Sequence, residues 1–285
     1  MDTIGAGALW TFLADRRDAV RATNGEVRAD PGHPVADYPK LAARIAELQF
    51  RNRDAVLMFR GQRSLHRNRR GNATLAPSIF RPGPARRGWP ATLRQRFATL
   101  AAADRALAER WRDEGLFGRS RVLRHRLVRW AILQHYEVCP TPLLDVTASL
   151  RIAAAFAADG AGDEAVLCVL GLPQLHGAVT ASAEAGIQAI RLASACPPRA
   201  VRPHLQEGYL LGEYPDIDSP EQGAHYDAHE ADFGRRLIAV FRFRPATFWT
   251  PVFPMIPRDA RYPGPELDPL LGLAADLRTA VAGAP

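Results

Sequence analysis

The spacing of apolar residues changes period along this chain. In the first half they recur at three- and four-residue intervals: Leu9, Trp10 and Leu13 within Ala8 to Val20, then Leu41, Ile45 and Leu48 within Tyr38 to Leu48. That spacing predicts helices with one buried face. Leu93 to Trp111 and Val122 to Tyr136 repeat it, separated by the Gly115 to Gly118 break. Further on the runs shorten to strand length, at Ala165 to Leu170, Ile187 to Leu192, His204 to Leu211 and Arg236 to Phe243. In the last of these Phe241 and Phe243 point to one face and Arg242 and Arg244 to the other. Helices first and strands later predict an α+β fold whose sheet is mostly C-terminal. A length of 285 residues, 47% of them hydrophobic, suffices for one sizeable core. One domain is expected, with residues 1–35 as an N-terminal helical extension and Asn24 to Pro34 as a loop.

One short apolar run comes early. Ala55 to Phe59, bounded by Asp54 and Gly61, suits a buried strand that delivers Arg60 at its C-terminal end. Gly61 to Trp89 is rich in Gly, Pro, Asn and Arg, and so long a loop is usually functional or mobile. Pro140 and Pro142 force an extended stretch. Leu143 to Asp145 then reads as a short strand, and Thr147 or Ser149 caps a helix whose Leu150, Ala153, Ala154 and Ala157 form a face small enough to lie close to a sheet.

Charge and cysteine content narrow the function classes. No window approaches the 18 or more uncharged apolar residues of a membrane span. The N-terminus lacks the basic and apolar regions of a secretory signal, so a cytoplasmic location is expected. Cys139, Cys168 and Cys196 are an odd set at wide spacings, unlike a disulfide framework. His135 and Cys139 stand four apart but have no second pair, so no metal site is expected. The net charge of +7 rests almost wholly on arginine, Lys40 being the one lysine, and part of it clusters in Arg60 to Arg70, at Arg81, Arg86 and Arg87, and in Arg119 to Arg129. Such a balance suits an acidic partner, a nucleotide or nucleic acid, although a solvated basic face would read the same way.

Several short motifs occur in a particular order. Phe59-Arg60-Gly61-Gln62 is followed by Leu75 to Arg81 (Leu-Ala-Pro-Ser-Ile-Phe-Arg), by Gln134-His135-Tyr136, by Thr141 to Ser149 (Thr-Pro-Leu-Leu-Asp-Val-Thr-Ala-Ser), and by Ala153 to Ala157. This set resembles the FRG-domain family. Arg202 with Gln206-Glu207-Gly208-Tyr209 resembles its late Gln-x-Gly element, and Leu267 to Ala274 its C-terminal segment. The resemblance implies an FRG domain over residues 36–285. Val146 replaces an aromatic residue often seen there, and Ala148 separates Thr147 from Ser149.

The family's layout is similar to that of the ADP-ribosyltransferase superfamily, which implies a split β-sheet, NAD as substrate, and a nucleic acid or protein as acceptor. On that resemblance Arg60, Thr147, Ser149, Gln206 and Glu207 are the catalytic candidates. Arg60, Gly61, Gln62, His135, Tyr136 and Asp145 are the candidates for holding NAD. Cleaving the bond between nicotinamide and ribose passes through an oxocarbenium-like state, which asks for a cation on the phosphates and acceptor groups near the ribose. Each residue also has a structural reading. Arg60 ties the arginine-rich loop or pairs with a carboxylate such as Asp145, His135 is a core imidazole, and Thr147 and Ser149 are caps. Gln206 and Glu207, adjacent on an expected strand, point to opposite faces, so one of them alone faces a cleft.

Overall fold

In the computed structural model, which describes residues 7–81, 89–223 and 231–282, ten strands form: β1 (Leu9–Thr11), β2 (Val20–Ala22), β3 (His33–Pro34), β4 (Val56–Gln62), β5 (Leu144–Thr147), β6 (Ala165–Leu172), β7 (Val179–Ser182), β8 (Ile187–Arg191), β9 (Gly208–Glu213) and β10 (Leu237–Phe243). The longer helices are α1 (Tyr38–Arg51), α2 (Trp89–Asp113), α3 (Arg126–His135), α4 (Leu150–Ala158) and α5 (Leu270–Ala282). Helices with a mixed sheet make an α+β fold. The contacts divide the chain into two compact units, Met1–Leu75, Val146–Leu175 and Asp232–Pro257 in the first, and Ala76–Asp145, His176–Ala231 and Arg258–Pro285 in the second.

In the first unit the strand order is β3-β10-β6-β4-β5, with β3 parallel to β10 and the other pairs antiparallel. All eight residues of β6 are buried, which explains an apolar run without alternation. Helix α1 starts at Asp37, whose carboxylate accepts from Lys40 N at 2.9 Å, and buries Leu41, Ile45 and Leu48. Burial of that stripe contributes about 2 kcal/mol per side chain before the entropy of ordering is counted. The core it joins contains Phe12, Phe59, Leu167, Val169 and Phe241.

The N-terminal extension is not helical over Ala8 to Val20. Strands β1 and β2 pair there instead, Leu9 opposite Ala22 and Thr11 opposite Val20. The side-chain amide of Asn52 explains the extended form: it accepts from Trp10 N and donates to Trp10 O, both at 3.0 Å, in place of a neighbouring strand. Asn24 to Pro34 is likewise more than a loop, because Thr23 and Glu26 make a reciprocal capping box that starts a helix at Asn24–Ala29.

In the second unit β9, β8 and β7 run antiparallel in that order. Helices α2, α3 and α5 supply Leu100, Leu107, Trp111, Val128, Leu133, Leu273 and Leu277 to a separate core. The helix expected from Val122 to Tyr136 is two helices, Arg119–Arg124 and α3, joined at His125, whose backbone is extended. The strand expected from His204 to Leu211 is a short helix, Val201–Leu205, followed by β9. Strands β1, β2, β3 and β7 have no counterpart among the strands expected from sequence. Arg86 and Arg87, in the expected long loop, lie outside the described residues.

Candidate functional site

Arg60 does not end a strand. It is the fifth of seven residues in β4 and stands opposite Cys168 of β6, with Gln62 opposite Val166. Alternation puts Arg60 and Gln62 on one face and Phe59 and Gly61 on the other. On the Arg60 face the Cys168 thiol lies 3.8 Å from the side-chain oxygen Oε1 of Gln62. Burial pushes that thiol up to about 12, and the Arg60 guanidinium opposes the rise. On the other face there is no room for a side chain at Gly61. A Cβ there would fall 1.9 Å from the Ala153 carbonyl oxygen and 2.6 Å from Ala157 N. The glycine of the first motif and the alanines of the later one are therefore two halves of one contact between β4 and α4. Gly61 acts by its lack of a side chain.

Thr147 pairs with Phe59, so its side chain leaves the sheet on the face opposite Arg60. Its hydroxyl accepts from Ser149 N at 3.0 Å, and the Ser149 hydroxyl caps α4 by accepting from Ile152 N at 3.5 Å. Both hydroxyls serve the turn into α4. Side chains of the arginine-rich loop itself tie it down. Arg67 donates to the backbone carbonyls of Arg28, Ala29, Asp30 and Gly71, and Arg63 donates to that of Asp159.

In the second unit three motifs meet through side chains. The Ser78 hydroxyl, 2.8 Å away, and the Thr141 hydroxyl, 3.0 Å away, both donate to the Gln134 amide oxygen. With its oxygen so held, the Gln134 amide nitrogen must aim outward, and it donates to Asp145 at 2.9 Å. A half-buried carboxylate at the start of β5 is thus oriented by residues far apart in sequence.

A second network surrounds Tyr136. Its hydroxyl donates to Asp268 at 2.9 Å, and the same fully buried carboxylate accepts from Arg202 N at 2.9 Å and Leu270 N at 3.1 Å. Burial and the neighbouring Asp268 charge keep the phenol protonated. His135 beside it is buried, with Gly208 against its ring and no partner for Nε2 among the described residues. Burial, with the Arg202 guanidinium second, holds its pKa well below the ordinary histidine value.

Gln206 and Glu207 do not share a strand. Gln206 closes the short helix, is buried, and donates to the Arg261 carbonyl at 2.6 Å. Glu207 is exposed, in the left-handed region at φ 44°. Ser78, Gln134, Thr141 and Asp268 were not among the candidates from sequence. Asp268 had a legible signal, a lone carboxylate inside the apolar run Leu267 to Ala274.

Many of the residues that make these contacts fall within one span that matches a family model. Residues 55–165 match the model of the FRG domain. The matched span of the FRG domain runs from β4 to the start of β6 and includes Arg60, Gly61, Gln134, Asp145, Thr147 and Ala153. Gln206 and Asp268 lie beyond it. No curated protein and no solved structure matches the chain. No helix among the described residues is long and apolar enough to cross a membrane.

Proposed function

We propose that this FRG-domain protein consumes NAD and transfers ADP-ribose to a nucleic acid or protein acceptor. The observation that carries the reading is the Asp145 carboxylate, oriented through Gln134 by Ser78 and Thr141. A fixed acceptor suits a reaction whose transition state develops positive charge at a ribose, because a preorganised group needs no reorganisation as that charge appears. In this reading Asp145 accepts a ribose hydroxyl, and the resemblance in sequence assigns Arg60 to phosphate as a planar cation. Glu207 orients the acceptor. Thr147, Ser149 and Gln206 position backbone and take no part in bond breaking.

The test is nicotinamide release from labelled NAD, with nucleic acid and cell lysate as separate acceptors. Arg60→Ala and Asp145→Asn, checked for folding, are expected to lose release by about a hundredfold, the size of losing one preorganised electrostatic contact. Retention of wild-type release by both variants contradicts the assignment.

A second reading, a binding module without turnover, is favoured by the late Gln-x-Gly element, in which Gln206 is the buried residue and the Glu207 carboxylate is exposed. The exposed Arg63, Arg69 and Arg70, none of them with a carboxylate partner among the described residues, would then hold phosphates. Salt-dependent nucleic-acid binding with no nicotinamide release under any acceptor condition decides for this reading and against transfer.

A further inference from the structure

Among the solvent-sealed N–H donors of the first unit, Nε of Arg151 and Nε1 of Trp249 meet no acceptor among the described residues. Both border Tyr38. The Trp249 ring stacks on Tyr38 with centroids 5.7 Å apart and planes at 18°, and Phe253 lies against Tyr38 at 5.6 Å. Arg151, in the first turn of α4, has its guanidinium near enough to the Tyr38 hydroxyl to oppose the rise in pKa that burial causes there. No carboxylate partners Arg151 among the described residues; Nη2 is taken up by the Pro254 carbonyl at 2.5 Å. Arg151 and Trp249 are half-buried side chains, but a sealed guanidinium Nε–H without an acceptor, beside a sealed indole N–H without one, is unfavourable unless something supplies the oxygens.

The segment after Trp249 closes on itself. Thr250 N donates to the Phe253 carbonyl at 3.2 Å and Phe253 N to the Thr250 carbonyl at 3.0 Å, closing a tight loop. From Thr250 to Pro257 the segment carries no charged residue, and Val252 at its tip is 79% exposed. It is tied to the cation through the Pro254 carbonyl, a weaker acceptor for a guanidinium than a charged oxygen.

We propose that Arg151, Trp249 and Tyr38 form a binding site for a small organic oxyanion, a carboxylate or phosphate on an apolar body, covered here by the Thr250–Pro257 segment. One oxygen accepts from Arg151 Nε and another from Trp249 Nε1, and the ligand displaces the Pro254 carbonyl from the guanidinium. The apolar body packs on Phe253 and Val252. The site uses none of the residues proposed for NAD, so it stands or falls separately.

The test is titration of the full chain with benzoate, phenyl phosphate and benzyl alcohol, followed by tryptophan fluorescence and calorimetry. Saturable binding of benzoate, phenyl phosphate or both is expected, the two arms telling carboxylate from phosphate, with benzyl alcohol at least tenfold weaker. Arg151→Gln and Trp249→Phe should each weaken that binding at least tenfold. Trp249→Phe keeps the ring stack, so it decides the matter if Arg151→Gln fails to fold. Absence of binding by either oxyanion, equal binding of benzyl alcohol, or wild-type affinity in a folded variant overturns the proposal.

Discussion

The two units use their motif residues in different ways. In the first unit the motif residues meet through close backbone approach, Gly61 of β4 against Ala153 and Ala157 of α4, and the contact depends on missing side chains. In the second they meet through polar side chains, Ser78, Thr141, Gln134 and Asp145 in one network and Tyr136, Asp268 and Arg202 in another. A motif can therefore be required for shape in one unit and for orientation of a charge in the other. Mutations separate the two.

The largest effect is expected at Gly61. In Gly61→Ala the new methyl meets backbone atoms of α4, which cannot rotate away, so the helix must leave the strand. A loss of about 3 kcal/mol is expected, the upper end for overpacking a filled site, measured as a fall in the urea midpoint at constant slope. Gly71→Ala is the control. Its φ is +79° with no atom within reach of a Cβ, so conformational strain alone, about 1 kcal/mol, is expected.

Next is the polar network. Asp268→Ala leaves Tyr136 Oη, Arg202 N and Leu270 N without their acceptor in a buried site. The expected cost is about 2–3 kcal/mol, read from chemical denaturation. Tyr136→Phe removes one donor and leaves the carboxylate its two backbone partners, so it should cost less than Asp268→Ala.

A smaller effect, and one that depends on pH, comes from His135. Its folded pKa is depressed by burial and then by Arg202. The unfolded chain takes up a proton near pH 6.5 while the folded chain does not, so stability is full above about pH 7 and falls as the pH drops below about 6.5, by up to about 1.4 kcal/mol per pH unit. Denaturation between pH 5 and 8 should show that slope, and His135→Gln should flatten it.

The smallest effect has the opposite sign. Glu137, at φ 56°, follows α3 where a glycine usually stands, with Val138 N bonded to the Leu133 carbonyl at 2.8 Å. Glu137→Gly should stabilise the chain by about 1 kcal/mol through relief of the left-handed backbone, reduced by loss of the exposed contact to Arg202 at 3.3 Å. Thermal melting checks the sign.

How much of this was legible in sequence follows the same division. The contact between β4 and α4 could be anticipated, because a small-residue face at Ala153, Ala154 and Ala157 predicts close packing on a sheet. The α1 stripe and the β6 run were also legible, since local periodicity sets both. What was hidden depends on distant partners. Trp10 is extended because Asn52 bonds both of its backbone groups, and no window around Trp10 contains Asn52. Gln206 was placed on a strand because apolar spacing cannot distinguish a short helix and turn from a longer strand. Thr23 and Glu26 were a missed local signal, since the capping box stands in the sequence itself. Of the site, the order of motifs pointed to Asp145, while Gln134 stood in a motif without being singled out. Their connection through Ser78 and Thr141 exists only once the chain is folded.

The central claim is that Arg60 and Asp145 serve chemistry while Gly61, Tyr136 and Asp268 serve the fold. The most direct measurement is nicotinamide release per folded molecule, set beside the urea midpoint, for Arg60→Ala, Asp145→Asn and Tyr136→Phe. The account predicts that the first two lose release with little change in midpoint, and that Tyr136→Phe lowers the midpoint while keeping release. Wild-type release from Arg60→Ala and Asp145→Asn, or loss of release in Tyr136→Phe under conditions where it is fully folded, would contradict it.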